Sequence, residues 1–191
     1  MTEFKTRGYG IAAALKYCRE GVDPARRPKV IASISPETIR YIESLKSAEW
    51  YPTVPMTEMF NAVIAACDGD MKLAEQDLIG CGIFAARDAS NTFLRLVMRV
   101  LTPTLFAKKL PSLYARDNNK GTVEVDVTED RVVAHFKDTL GFDHLAAMSA
   151  GWMNFALESM GKQVTSYKIT EWAVTRPNVP DFKIEMGWKN A

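Results

Sequence analysis

The last third of the chain switches between two periodicities in a fixed order, and that order limits the folds open to it. Val123, Val125 and Val127 alternate with Thr122, Glu124 and Asp126, and Val132, Ala134 and Phe136 alternate with Val133, His135 and Lys137 across the polar connection Thr128-Glu129-Asp130. Apolar residues at every second position make a strand with one buried face, so Thr122–Val127 and Arg131–Lys137 read as a hairpin. From Leu145 to Met160 the apolar residues follow the helical interval, and from Thr165 to Val174 and Phe182 to Trp188 they return to alternation. Hairpin, helix, hairpin is the sequence of an antiparallel sheet covered on one face by its own linking helix.

Everything upstream reads as helical. Ile11, Ala14, Leu15 and Cys18 predict a helix over 11–20 with Gly21 as its C-terminal cap, and the Pro-rich and basic stretch 22–35 reads as mostly loop, with Val30 to Ile34 apolar enough for a short buried stretch. Ser35-Pro36-Glu37 has an N-cap, a proline at the first helical position and acid in the first turn, which starts a helix. Met56, Met59, Phe60, Val63, Ile64 and Cys67 form one apolar stripe of a helix that begins near Pro55. Asp70 caps the next, 71–88, in which Gly80 and Gly82 mark close helix packing or a break at that point, or else a backbone-lined approach of a ligand. A further helix opens at Ser90 or Asn91 with Phe93, Leu94, Val97, Met98 and Leu101 inward, and Thr102-Pro103 starts a short one over 103–109. The fold class expected is α+β, a helical N-terminal part packed on a four-stranded antiparallel sheet. The whole chain, 1–191, is expected to be a single domain with parts at 1–34, 35–118 and 119–191.

Composition excludes several classes of function. With 24 Lys and Arg against 23 Asp and Glu the net charge is +1, which gives no field to attract nucleic acid. The densest basic run, Arg26, Arg27 and Lys29, is split by Pro28 and reads as a solvated loop. Cys18, Cys67 and Cys81 are widely spaced among apolar residues, as reduced core cysteines of a cytoplasmic protein are. No apolar run approaches the roughly 20 residues of a membrane span, and the first residues lack the apolar core of a secretory signal. No integral membrane association is expected.

Catalytic chemistry is not visible. His135 and His144 are the only histidines, and neither has a second His or a Cys at ligand spacing, so no metal site is expected. There is no Gly-x-Ser-x-Gly elbow, phosphate-cradling loop or dinucleotide fingerprint. His144 follows Asp143, a candidate N-cap, and reads as a polar residue of the first helical turn. The linking helix carries Leu145, Met148, Trp152 and Phe155 on one stripe beside Ala146, Ala147, Ala150 and Gly151. Large adaptable side chains next to small ones line an apolar pocket, and the same pattern makes an ordinary core or a helix-mediated dimer contact.

Tyr51-Pro-Thr-Val-Pro before a long helix, Leu110-Pro-Ser-Leu-Tyr114 before the first hairpin, Gly141-Phe142-Asp143 before the linking helix and Gly187-Trp188 at the last strand occur in a recognisable order. Over roughly residues 35–190 the chain resembles the superfamily of heme-nitric-oxide-binding domains, 4-vinyl-reductase-type domains and tethering-complex subunits, and within it uncharacterised bacterial proteins. That resemblance implies a homodimer with an apolar cavity between helices and sheet. Its heme branch depends on a histidine in the helical half and a Tyr-x-Ser-x-Arg motif, and this sequence has neither, which argues against heme; no cofactor is expected. The function expected is a non-enzymatic sensory or regulatory domain binding a small apolar or aromatic molecule, with Met148, Trp152 and Phe155 as pocket lining and Tyr114 as a polar contact. The alternative is a dimeric interaction module without a ligand, like the tethering subunits.

Overall fold

A computed structural model describes residues 3–90 and 101–191. The expected first hairpin, linking helix and second hairpin are all present, although the first strand of the second hairpin spans 162–170 and not 165–174. Strands β3 (Thr122–Val127), β4 (Arg131–Lys137), β5 (Lys162–Thr170) and β6 (Phe182–Asn190) form one antiparallel sheet in the order β3-β4-β6-β5, so the two hairpins join through β4 and β6. Register places Phe136 opposite Phe182, Ala134 opposite Ile184 and Val132 opposite Met186. All six are buried on the same face, and the Phe136 and Phe182 rings stack at 4.6 Å. Burying a large apolar side chain of this kind stabilises by about 1.5–3 kcal/mol. A one-residue slip would turn the whole row to solvent, so the apolar pattern itself fixes the register.

The remaining elements are β1 (Lys5–Arg7), α1 (Gly8–Lys16), α2 (Arg27–Ala32), α3 (Pro36–Glu43), β2 (Trp50–Pro52), α4 (Val54–Ala65), α5 (Met71–Ala89), α6 (Pro103–Asp117) and the linking helix α7 (Leu145–Ser159). Caps read from the sequence act as such. The Ser35 hydroxyl accepts from the Thr38 N–H at 3.1 Å, and the Asp70 carboxylate accepts from the Leu73 N–H at 3.0 Å. Strands β1 and β2 pair antiparallel into a small second sheet, which the sequence did not announce.

Several boundaries differ from expectation for identifiable reasons. Helix α1 does not run on to a cap at Gly21 but widens into a π turn over Tyr17–Gly21, closed by the Val22 N–H on the Tyr17 carbonyl at 3.1 Å. Glycine is required at 21 because a Cβ there would stand 2.2 Å from the Tyr17 ring. The stretch expected to be loop contains α2. Its basic residues are not simply solvated: Arg26 holds Asp77 with both guanidinium nitrogens, and Arg27 donates to the Glu20 and Val22 carbonyls at 3.0 Å each. Helix α6 extends from Pro103 past Lys109 to Asp117 with Pro111 inside it. The helix expected to open at Ser90 or Asn91, with Phe93, Leu94, Val97, Met98 and Leu101 on its inner face, lies outside the described residues apart from Ser90 and Leu101.

Helix α7 lies on the sheet, and α5 backs it from the other side. The α5–α7 crossing is made by two glycines. A Cβ on Gly151 would stand 2.2 Å from the Ile79 carbonyl oxygen and 2.8 Å from the Gly82 Cα, and a Cβ on Gly82 would stand 2.3 Å from the Met148 carbonyl oxygen. Close packing is therefore what Gly82 provides. No described helix is long and apolar enough to cross a membrane.

Candidate functional site

Beside the glycine crossing, packing around α7 opens into a cavity of about 130 Å³. Met148, Ser149, Trp152 and Met153 come to it from α7, Tyr9 and Ala13 from α1, Met56 from α4, and Phe106, Leu110 and Tyr114 from α6. Phe136 and Phe142 complete the apolar wall. These residues are spread across much of the chain, and helical spacing on α7 brings only its own contribution into line.

Of the four residues singled out in the sequence, Tyr114, Met148 and Trp152 line this cavity. Phe155 is buried at 6% exposure but does not line it. The Tyr114 hydroxyl does not point to a free partner; it donates to the Lys120 carbonyl at 2.9 Å, and its ring meets Phe136 edge-on at 5.7 Å. Burial first, and the charge of Asp138 second, push its pKa up, so it is a neutral phenol at any ordinary pH.

The polar end of the cavity was not read from the sequence. Thr6, Tyr9, Arg116, Asp117 and Asn118 gather there from the start of the chain and the end of α6. Arg116 grips Asp117 with two bonds, 2.7 and 2.8 Å, the Thr6 hydroxyl donates to the Asp117 carbonyl at 2.9 Å, and the Asn118 amide donates to the Tyr114 carbonyl at 3.2 Å. The Tyr9 hydroxyl is buried beside the Asp117 carboxylate and the Arg116 guanidinium. Burial and the neighbouring Asp117 carboxylate raise its pKa.

His144 is the other surprise. Instead of a polar residue of the first turn it is the N-terminal cap of α7, 1% exposed, with a left-handed φ of 62° and its N–H on the Pro177 carbonyl at 3.0 Å. Asp143, expected to cap the helix, accepts instead from the Thr57 hydroxyl at 3.2 Å. The imidazole sits edge-on between Phe60 (5.7 Å) and Trp172 (6.3 Å), neither ring nitrogen has a partner, and burial holds its pKa down at about 4. It is neutral and does not line the cavity.

The three cysteines are buried and unpaired. Burial pushes the Cys18 thiol up to about 12 and Cys81 well above its usual range, so neither is an activated nucleophile. Among the described residues no group of three or more His, Cys, Asp or Glu is placed to hold a metal ion.

No protein-family model matches the sequence, and no curated protein sequence matches it. Solved structures do. An Fe(II) unliganded H-NOX protein variant from K. algicida superposes with a TM-score of 0.69 at 13% identity, covering 96% of this chain and 97% of that one. An oxygen-binding H-NOX domain related to soluble guanylate cyclases gives 0.61 at 8% identity, covering 96% and 95%. An H-NOX protein from S. oneidensis in the Fe(II) state gives 0.59 at 10% identity, covering 96% of each. The fold is that of the H-NOX domains.

This corrects the expectation that heme is to be set aside. The missing histidine and Tyr-x-Ser-x-Arg motif argued against heme, yet the whole architecture is that of heme-nitric-oxide/oxygen-binding domains. A ligand motif is a few side chains and a fold is some two hundred, so losing the first says little about the second. Heme iron also accepts thioether ligands, and Met56, Met148 and Met153 bring those groups to the cavity, whereas the Tyr9 and Tyr114 phenols are held neutral by burial. The fit in this conformation is poor: neither His135 nor His144 lines the cavity, and 130 Å³ falls below the roughly 300–1,000 Å³ of most cofactor sites.

Proposed function

We propose that this chain is a non-enzymatic sensory domain of H-NOX architecture whose ligand occupies the cavity between α1, α6 and α7. The observation that carries the reading is the cavity itself, apolar along its walls and placed between the helical part and the helix that covers the sheet. It also favours this reading over a ligand-free dimeric interaction module, which has no use for a hole in its core. The fold makes heme the first ligand to try, with iron and oxygen named for its structural relatives. The cavity's size makes a small apolar or aromatic molecule the second, since an engineered apolar cavity of about 150 Å³ takes up benzene.

Hemin titration followed by absorbance, with native mass spectrometry of the product, tests both. Stoichiometric uptake with a sharpened Soret band, lost in a variant whose cavity is filled by Ala85→Trp, assigns heme to this site. Nonspecific hemin adsorption together with retention of a small molecule through native spraying assigns the smaller ligand. A protein that takes up neither, and runs as a dimer of clean mass, defeats the reading.

A further inference from the structure

Resting on the reading of the cavity as a site for a small molecule, we propose that Ser149 and Trp152 of α7 are its specificity-determining pair. They select a compact, largely apolar molecule that carries a hydrogen-bond acceptor, of the class of an aryl ketone.

Both residues are half-buried, both line the cavity, and three positions apart on a helix they share one face. Neither side chain has a hydrogen-bond partner, and neither polar atom is sealed beneath its neighbours as the His144 and Trp172 ring nitrogens are. An occupant of the cavity can therefore reach them. For the serine this is a departure from the rest of the chain. Ser33, Ser44, Ser90 and Ser112, within helices or at their ends, each donate to a main-chain carbonyl three or four residues back, at 2.9, 2.7, 2.6 and 2.8 Å. Ser149 does not fold back in this way, and its hydroxyl stays available on the same face as the Trp152 indole N–H.

The donors at the other end of the cavity serve the protein itself. Arg116 holds Asp117, the Thr6 hydroxyl and the Asn118 amide donate to main-chain carbonyls, and the Tyr114 hydroxyl donates to the Lys120 carbonyl. Polar selection thus falls to α7. An indole N–H donates and cannot accept, so the pair is complemented by an acceptor oxygen and not by a second donor. The walls from Met56 and Ala85 round to Phe136 and Met153 offer apolar surface to the remainder of the molecule. An anion would be stripped of water there with Arg116 already neutralised by Asp117, which favours a neutral carbonyl. The volume of about 130 Å³ admits one small ring with a short substituent and not a fused system.

Acetophenone and α-methylstyrene have the same shape and the same number of heavy atoms, and differ in whether a carbonyl oxygen or a methylene group meets the pair. Their affinities for the wild-type protein, Ser149→Ala and Trp152→Phe are measured by ligand-observed NMR, with thermal unfolding as a check that each variant folds. The space gained in Trp152→Phe is open to both ligands alike and cancels in the ratio of their affinities. In each variant acetophenone is expected to weaken about fivefold relative to α-methylstyrene. A ratio unchanged in either variant overturns the pair while leaving the cavity as a binding site. Failure of both ligands to bind the wild-type protein overturns the proposal through its premise.

Discussion

Helix α7 presents two opposite kinds of packing. On one flank two glycines let it approach α5 so closely that a single added carbon would fall inside a neighbouring carbonyl's contact distance. On the other, Met148, Trp152 and Met153 face an unfilled space. Interiors are normally packed to crystal-like density throughout, so a hole adjoining so close a helix contact is not slack left by a poorly fitting sequence. The dense flank fixes where α7 sits, and the hollow flank leaves space beside it.

The contrast can be broken most forcefully at the crossing. Gly151→Val should cost about 3 kcal/mol or prevent folding, because the obstacle is backbone of α5 that cannot rotate away. Urea unfolding measures it, and a loss below about 1 kcal/mol would mean the two helices separate easily and the dense flank is not a fixed reference.

A second test lies where the dense side continues to the start of α7. His144 is neutral between Phe60 and Trp172, with a folded-state pKa of about 4 against 6.5 for a free imidazole. The unfolded chain therefore binds a proton that the folded protein refuses between these values. Stability is fully present above about pH 6.5 and declines as pH falls toward 4, by on the order of 2 kcal/mol. His144→Phe should flatten that part of the profile; an unchanged slope would assign the acid sensitivity elsewhere.

The smallest effect is expected on the hollow flank. Ala85→Val adds two carbons toward the cavity and should change stability by less than about 1 kcal/mol in either direction. A loss as large as that of Gly151→Val would show that both flanks are equally close-packed in solution.

The same two flanks explain what the sequence disclosed. The strands were legible because Val123, Val125 and Val127, or Phe182, Ile184 and Met186, state their period within a few residues. Ser35 and Asp70 were legible because a cap acts on an N–H three positions away. Met148 and Trp152 were found by helical spacing on one element, and Phe155, on the same stripe, was grouped with them although it packs elsewhere. Tyr9 and Arg116 belong to different helices, and no local pattern joins them. His144 was misplaced because its burial comes from Trp172 and the segment around Pro177, which fold over it from beyond β5. Helix α2 was hidden by a proline and charges whose partner, Asp77, stands far along the chain.

The polar end of the cavity is closed by a clasp between the first strand and the end of α6. The Lys5 N–H donates to the Asn119 side chain at 2.6 Å across 114 residues, the Asn119 N–H returns to the Lys5 carbonyl at 3.1 Å, and the Arg7 side chain donates to the Arg116 carbonyl at 3.0 Å. On a ribosome making about 5–20 residues per second, Lys5 emerges roughly 6–23 s before Asn119 exists to receive it. For that interval the strand has only β2 to lean on, and the pocket has no floor. Tyr9, two residues beyond the clasp, is thus set in place among the last side chains of the helical part, and the cavity cannot close until α6 has been made.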